Sequence, residues 1–121
     1  MPASGVGAAN SAGTDCVAIF AALGDSTRLD LIDRLCDGEA RSIAQLTDGS
    51  GLTRQGVTKH LRVLERAGLV SSSRIGRESR FRYCPEPVEE ARSYLDTVSR
   101  QWDDALLRLK AFVEANQVSK E

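Results

Sequence analysis

The sequence predicts a mostly α-helical fold with one small β-hairpin, and three patterns of residues predict it. Four short segments with apolar residues at helical spacing come first, separated by Gly or by capping residues. Two strand-like segments then flank Gly76-Arg77-Glu78, a turn sequence that permits positive φ. From Val88 onward the apolar residues follow a heptad pattern for more than three repeats. Two helices joined by a Gly-containing turn and followed by a hairpin are typical of a winged helix-turn-helix.

The first two predicted helices are short. The first runs from Asp15 to Leu23 and has apolar residues at helical spacing. Asp25 or Ser26 caps the second helix, which continues to Gly38. The apolar residues of the second helix that recur at helical spacing are Leu29, Ile32 and Leu35. Residues 1–14 precede both helices, and their content of Gly, Ala and Ser predicts a disordered tail.

The third and fourth helices form the predicted helix-turn-helix. Ser42 and Gln45 have the spacing of a capping box, so a third helix begins there and ends near Asp48–Gly51. Thr53 is the expected N-cap of the fourth helix, which runs to Ala67 and stops at Gly68. The core-facing residues of the fourth helix fall at positions i, i+4 and i+7, namely Val57, Leu61 and Leu64.

The opposite face of the fourth helix carries polar and basic residues: Arg54, Gln55, Thr58, Lys59 and Arg62. Gln55 has the chemistry to pair bidentately with adenine, and Arg54 or Lys59 with guanine. Thr58 offers a methyl group to thymine. We therefore predict that this helix lies in the major groove of DNA, with its N-terminal half deepest. The alternative, a merely solvated basic face, is less favoured because the hairpin adds basic residues to the same patch.

The hairpin is predicted to consist of strands Val70–Ile75 and Ser79–Cys84. Arg77, at its tip, is expected to reach an adjacent minor groove or a phosphate. Weaker phosphate candidates on the hairpin are Arg74, Arg80 and Arg82. Phe81 and Tyr83 alternate onto one face, which we expect to pack inward.

Charge is distributed unevenly along the chain. Residues 41–83 contain nine Lys or Arg and three acidic residues, a net charge of +6. Residues 1–40 have a net charge of −4 and residues 84–121 of −3, so the whole chain carries only −1. Concentrating positive charge in the predicted winged helix-turn-helix is what a phosphate-binding surface requires.

The last segment is predicted to be one long helix over residues 87–116, within a single domain of residues 15–121. Its heptad positions are Val88, Ala91, Leu95, Val98, Trp102, Ala105, Leu109 and Phe112. Thirty helical residues span about 45 Å, which is longer than so small a domain can cover. We therefore predict a two-fold dimer, with Trp102 as its main contact; the alternative is that Trp102 packs within its own subunit. The predicted interface residues are Phe20, Leu95, Val98, Trp102, Leu106 and Leu109.

Composition excludes several classes of protein. No stretch approaches the ~20 apolar residues of a membrane span, and residues 1–14 lack the basic start and apolar middle of a secretory signal. Three scattered cysteines do not suggest a disulfide framework, so we expect a cytoplasmic protein. With one histidine, no Gly-rich phosphate loop and no nucleophile elbow, an enzyme is not expected. A protein-interaction module without specific DNA binding is the better alternative.

The segments ALGDSTRLDLI, VTKHLRVLERAGLV and IGRESRFRY together resemble the ArsR-type winged-helix repressors of bacteria. The resemblance extends from about Ala18 to Phe112, and the C-terminal part is similar to a branch of the family without obvious metal ligands. It implies a homodimeric repressor of its own or a neighbouring operon, joined through its first and last helices and bound to a palindromic operator. The DNA-reading residues that it implies are Gln55, Thr58, Lys59, His60 and Arg77.

The signal that such a repressor would sense is left open by the sequence. The third helix has no cysteine and the last helix no histidine, so we expect no metal site and no cofactor. A thiol-based sensor of metalloids or oxidants would use Cys16, Cys36 and Cys84, which are otherwise small apolar residues. Of these, Cys36 is expected in the core and the other two nearer the surface. His60 is expected to hydrogen-bond a phosphate or the backbone of the helix-turn.

Overall fold

The computed structural model describes residues 16–120, with side chains as far as Asn116. The predicted tail over residues 1–14 lies outside the described residues. The chain divides into two compact units, Met1–Ala91 and Arg92–Glu121.

Five helices and three strands make up the described chain. The helices are α1 (residues 16–23), α2 (Ser26–Leu35), α3 (Ile43–Thr47), α4 (Arg54–Arg66) and α5 (Glu86–Lys120). The strands are β1 (Arg41–Ser42), β2 (Val70–Ile75) and β3 (Glu78–Tyr83), and they form an antiparallel sheet in the order β1-β3-β2. Ile75 pairs with Glu78, so the two residues between them, Gly76 and Arg77, form the hairpin turn. None of the helices in this part of the chain is long and apolar enough to cross a membrane.

The sheet differs from the prediction in two ways. The second hairpin strand begins at Glu78 and ends at Tyr83, one residue earlier at each end than expected. A third strand, β1, pairs Arg41 with Phe81 and Ser42 with Arg80. Two residues are too few to show a strand pattern, so only long-range pairing with β3 defines β1.

The three predicted N-caps are confirmed. Asp25, rather than Ser26, caps α2 and accepts hydrogen bonds from the backbone N–H groups of Thr27 and Arg28. Ser42 and Gln45 form the predicted capping box of α3. The side chain of Thr53 accepts from the N–H of Gly56 at 3.0 Å and begins α4. These bonds satisfy N–H groups that have no partner within their helices.

The end of α4 is fixed by a Schellman motif. Gly68 adopts φ 79°, its N–H donates to the carbonyl of Glu65, and the N–H of Leu69 donates to the carbonyl of Leu64. This left-handed conformation favours glycine, which has no Cβ. Leu69 is fully buried. The motif therefore ends the helix and turns the chain into β2.

The core of the first unit lies between the helices and the sheet. It contains Ile19, Leu31, Ile32, Leu35, Leu46, Val57, Leu61, Leu64, Leu69, Val70, Phe81 and Ala91. The predicted inward face of α4 and the inward position of Phe81 are thus confirmed. Of the three apolar residues of α2 noted at helical spacing, Ile32 and Leu35 are buried, but Leu29 is 46% exposed and Leu31 is buried as the third core residue. At 100° per residue, Leu29 lies roughly 110° from the centre of the face formed by Leu31, Ile32 and Leu35.

The second unit is the helical segment from Arg92 onward. Its exposed large apolar side chains, apart from Leu107, fall within about 120° of the helix surface at 100° per residue. These residues, which we call the apolar stripe, are Tyr94, Leu95, Trp102, Leu106, Leu109, Phe112 and Val113.

Candidate nucleic-acid interface

α4 presents its polar face because its apolar face is firmly buried. Val57, Leu61 and Leu64 are 0% exposed and fix which side of the helix meets the core. The opposite side exposes Arg54, Gln55, Lys59 and Arg62, as predicted. Thr58 is half-buried, and its hydroxyl donates to the carbonyl of Arg54 at 2.7 Å.

Two shallow grooves border this face of α4. One, of about 570 Å³, follows the helix and is lined by Gln55, Thr58, Lys59, Arg62, Val63 and Arg66. The other, of about 540 Å³, is lined by Arg54 and Thr58 of α4, by Ser42–Ala44 and by Arg77–Ser79. Thr58 lines both grooves, so the two form one continuous surface. The structure thus brings the tip of the hairpin to the same surface as the start of α4.

Several cations on this surface are unpaired. Within residues 16–116, the side chains of Arg54, Lys59 and Arg77, which line these grooves, make no ion pair. Arg80, by contrast, donates to the carboxylate of Glu78 at 2.8 Å. A cation without a protein partner can bind phosphate without breaking an existing bond. Unpaired positive charge therefore borders both grooves.

Arg62 is held between α4 and the hairpin. Its guanidinium donates to Glu65 at 2.8 Å and lies 5.7 Å from the centroid of the Phe81 ring. The other carboxylate oxygen of Glu65 accepts from the hydroxyl of Ser72 on β2 at 2.6 Å. These bonds from Ser72 and Arg62 hold the pKa of Glu65 below its usual range. This link was not predicted, although Arg62 and Glu65 have the i, i+3 spacing of a helical ion pair.

His60 contacts the side chain of Arg28 on α2 and that of Asp25, the N-cap of α2, and not the backbone of the helix-turn. Its Nδ1 lies 3.3 Å from Nη1 of Arg28 and 3.9 Å from Oδ1 of Asp25. Arg28 also donates to the carbonyls of Ala22 and Ala21 at the end of α1. The backbone N–H of Arg28, together with its positive charge, holds the pKa of Asp25 below its usual range. Arg28 was not singled out from the sequence, because its partners lie on two other helices.

The exposure of two cysteines is the reverse of what was expected. Cys36 is exposed, because it follows Leu35 at the C-cap of α2 and falls off the buried face. Cys16 is 4% exposed, because it precedes Ile19 by one turn on the buried face of α1. Cys84 is half-buried, and all three thiols are free. In the described part of the chain, no three His, Cys, Asp or Glu side chains are grouped so as to hold a metal ion.

The predicted dimer residues fall into two groups. Leu95, Trp102, Leu106 and Leu109 are exposed on the second unit, and Val98 is half-buried. Phe20 is half-buried on α1 and packs against the core of its own unit. Exposed apolar residues on one helix face are what an interface would cover.

The chain is similar to known transcriptional regulators. A helix-turn-helix domain family matches residues 23–72, which include α2, the helix-turn-helix and the start of β2. The chain is 41% identical over 78 residues to the "Uncharacterized HTH-type transcriptional regulator YuzN" of Bacillus subtilis, covering 60% of this chain and 85% of YuzN.

Solved structures give the same result. An ArsR-like transcriptional regulator from Rhodococcus sp. RHA1 is 31% identical with a TM-score of 0.72, over 82% of this chain and 92% of that one. A homodimeric winged helix-turn-helix DNA-binding domain from Mycobacterium bovis, a possible ArsR-family regulator, shares the fold. Its TM-score is 0.58 at 23% identity, over 73% of this chain and 81% of that domain. This chain therefore belongs to the ArsR-type family of winged helix-turn-helix, DNA-binding transcriptional regulators.

Proposed function

We propose that this protein is a homodimeric repressor that binds a specific double-stranded operator upstream of its own or a neighbouring operon. Each protomer reads one half of an imperfect palindrome, with α4 in the major groove and Arg77 at an adjacent minor groove or phosphate. The observation that carries this proposal is the continuous surface around Thr58. That surface joins the unpaired cations of α4 to the unpaired cation at the hairpin tip.

The contacts to DNA divide by side-chain chemistry. Gln55 pairs with adenine, and Arg54 or Lys59 pairs with guanine, because these side chains match the major-groove edges of those bases. The hydroxyl of Thr58 already donates to the Arg54 carbonyl, so its contribution is an apolar contact from its methyl group to thymine. Arg77 contacts the backbone or the minor groove and thereby sets the register of the domain on DNA.

Dimerisation uses the apolar stripe of the second unit. Large apolar side chains arranged along one helix face gain free energy when a second copy covers them. The M. bovis domain that shares this fold is itself homodimeric, which supports the same assembly here. A two-fold dimer would place two copies of α4 about 34 Å apart, one turn of DNA, and would thereby match a palindrome.

A titration with matched variants tests the DNA surface. A labelled duplex from upstream of the protein's own gene, called here the operator duplex, is compared with a shuffled duplex at about 150 mM salt. Lys59→Ala and Arg77→Ala are expected to weaken operator binding about tenfold or more, since each removes a base or phosphate contact. Lys110→Ala and Arg100→Ala remove the same charges from exposed positions of α5 and serve as controls. Equal affinity in all four variants would exclude the proposed surface.

A reporter-gene assay tests separately whether the protein represses transcription. A reporter gene placed behind the operator is expected to be silenced when the wild-type protein is supplied and released by Lys59→Ala. Reporter expression that rises with the wild-type protein would instead identify an activator.

A further inference from the structure

We propose that Arg28 is a positioning residue for DNA binding, which sets the orientation of α4 through His60 without touching DNA. This inference rests on the proposed function, because it concerns how accurately α4 meets the bases. Arg28 lies in the segment ALGDSTRLDLI, which carries part of the family resemblance, but neither the resemblance nor the sequence pattern assigned it a role.

The guanidinium of Arg28 joins three helices. It belongs to α2, its Nε donates to the carbonyl of Ala22 at 2.5 Å, and its Nη2 donates to the carbonyl of Ala21 at 3.3 Å. These carbonyls lie in the last turn of α1, where backbone oxygens lack partners within the helix. Its Nη1 lies 3.3 Å from Nδ1 of His60 on α4. One side chain therefore fixes the end of α1 and the middle of α4 relative to α2.

The chemistry of the pair defines the direction of the hydrogen bond. Arginine can only donate, so Nδ1 of His60 must accept and the ring proton belongs on Nε2. Asp25 is too far from Nδ1, at 3.9 Å, to replace Arg28 as the partner. Asp25 instead accepts from the backbone N–H groups of Thr27 and Arg28, which fixes the first turn of α2 and so the origin of the Arg28 side chain.

The place of His60 on α4 explains why this bond controls orientation. At 100° per residue, His60 lies roughly 60° to one side of the line through Val57, Leu61 and Leu64. The apolar side chains fix how deep α4 sits, and a bond at the edge of the buried face resists its rotation. Rotating a helix of about 5–6 Å radius by about 20° moves its outer surface about 2 Å, more than a base hydrogen bond tolerates.

The two kinds of DNA contact respond differently to such a rotation. Base contacts from Gln55 and Lys59 need a fixed geometry, whereas long, flexible cations can still reach phosphates. Loss of the Arg28–His60 bond should therefore lower the specificity ratio, defined as the Kd for the shuffled duplex divided by the Kd for the operator duplex. The slope of log Kd against log salt should stay unchanged, because it counts phosphate contacts.

The test uses Arg28→Lys and His60→Leu, with His60→Asn as the conservative variant. Lysine keeps the charge but cannot bridge three acceptors, and leucine removes the acceptor. Each is expected to reduce the specificity ratio about tenfold at an unchanged salt slope. His60→Asn, whose amide oxygen can take the place of Nδ1, should restore most of the ratio. The double variant Arg28→Lys/His60→Leu should be no worse than either single one, because both break the same bond.

Arg34→Lys is the matched control. Arg34 also donates from α2 to two carbonyls at a helix end, those of Leu46 and Gln45, but it has no bond to α4. Its replacement should lower the midpoint of thermal unfolding and leave the specificity ratio unchanged. All specificity ratios are measured at a temperature below the unfolding midpoint of each variant. If His60→Leu does not fold, the ratio of Arg28→Lys alone tests the inference.

Three results would overturn the inference. An unchanged ratio in both Arg28→Lys and His60→Leu would reduce Arg28 to a purely structural role. A salt slope lowered by about one in Arg28→Lys or His60→Leu would show a direct phosphate contact instead. A ratio that Arg34→Lys lowers equally would show a general effect of stability. A wild-type protein without preference for the operator would instead refute the proposed function, which keeps the two failures distinct.

Discussion

At the scale of single residues, the acidic residue Glu65 links two elements of the basic segment. Glu65 lies among nine basic residues of the segment 41–83, yet both of its carboxylate oxygens have partners. It accepts from Arg62 on its own helix and from Ser72 on the hairpin. Glu65 thus connects the helix that would read bases to the strand that carries the hairpin tip.

Glu65→Gln is predicted to destabilise the protein at neutral pH and not in acid. The pKa of Glu65 is lowered in the folded chain, chiefly by the bond from Ser72 and then by Arg62. A lowered pKa means that the carboxylate stabilises the fold above the ordinary value of 4.5 and loses this effect as the pH falls through the folded pKa. Urea unfolding of both proteins from pH 7 to pH 3 measures the difference. A difference that grows in acid would contradict the assignment.

At the scale of elements, α3 is a helix that depends on contacts from side chains at both of its ends. Its five residues are too few to form a helix alone, so both ends depend on side chains. The capping box of Ser42 and Gln45 fixes its start, and Arg34 donates to the carbonyls near its end. Ser42 is itself 3% exposed. α3 is therefore fixed at both ends by side chains.

Ser42→Ala is predicted to lower the free energy of unfolding by about 1 kcal/mol, because it leaves the N–H of Gln45 without its acceptor. Ser71→Ala on the exposed β2 strand is the control and should change stability by less than about 0.5 kcal/mol. Chemical denaturation of the three proteins gives both values. Equal stability of Ser42→Ala and the wild type would show that the cap is dispensable.

Elements defined by neighbours in sequence could be predicted, and elements defined by distant partners could not. The caps at Ser42 and Thr53 and the buried face of α4 depend on residues within two turns, and the structure confirms them. β1 exists only through its pairing with β3, and the Arg28–His60 and Glu65–Ser72 contacts join residues from separate elements. Cys36 was wrongly predicted to be buried, because it follows the core residue Leu35 in the sequence. The burial of its neighbour Leu35 does not extend past the helix end.

The DNA-contact residues were predicted from one helix face and one turn. The structure adds that this face and turn border one surface, because Arg77 and Arg54 line the same groove. The structure also divides the predicted DNA-contact residues into those with and those without a protein partner. Arg54, Lys59 and Arg77 have no ion pair within residues 16–116, whereas Arg62 and His60 have protein partners. The i, i+3 spacing indicates the partner of Arg62, whereas no spacing rule indicates the contact of His60 with Arg28.

At the scale of the whole molecule, the exposed apolar stripe is the main feature that one chain does not explain. Trp102 is 67% exposed and Leu106 and Leu109 are 58% and 57% exposed, so each leaves a large apolar surface in water. Covering such surfaces with a second copy contributes free energy in proportion to the apolar area buried.

Trp102→Ala is predicted to weaken the dimer and, through it, operator binding. Large aromatic residues contribute most to interfaces of this kind, so sedimentation should show a shift toward monomer at micromolar concentration. Leu107→Ala is the matched control, because Leu107 is 64% exposed on the same helix but lies roughly 140° from Trp102. An intact dimer in Trp102→Ala, or equal dissociation in both variants, would exclude the stripe as the interface.

The central claim, that two copies of this surface read a palindromic sequence, is tested most directly by selection from random DNA. The wild-type protein is incubated with a pool of random duplexes at about 150 mM salt, and the retained duplexes are sequenced over several rounds. The pool should converge on an imperfect palindrome whose half-sites are about 10 base pairs apart, centre to centre. A retained pool that stays random would contradict sequence-specific binding, and convergence on one unrepeated half-site would contradict the dimer.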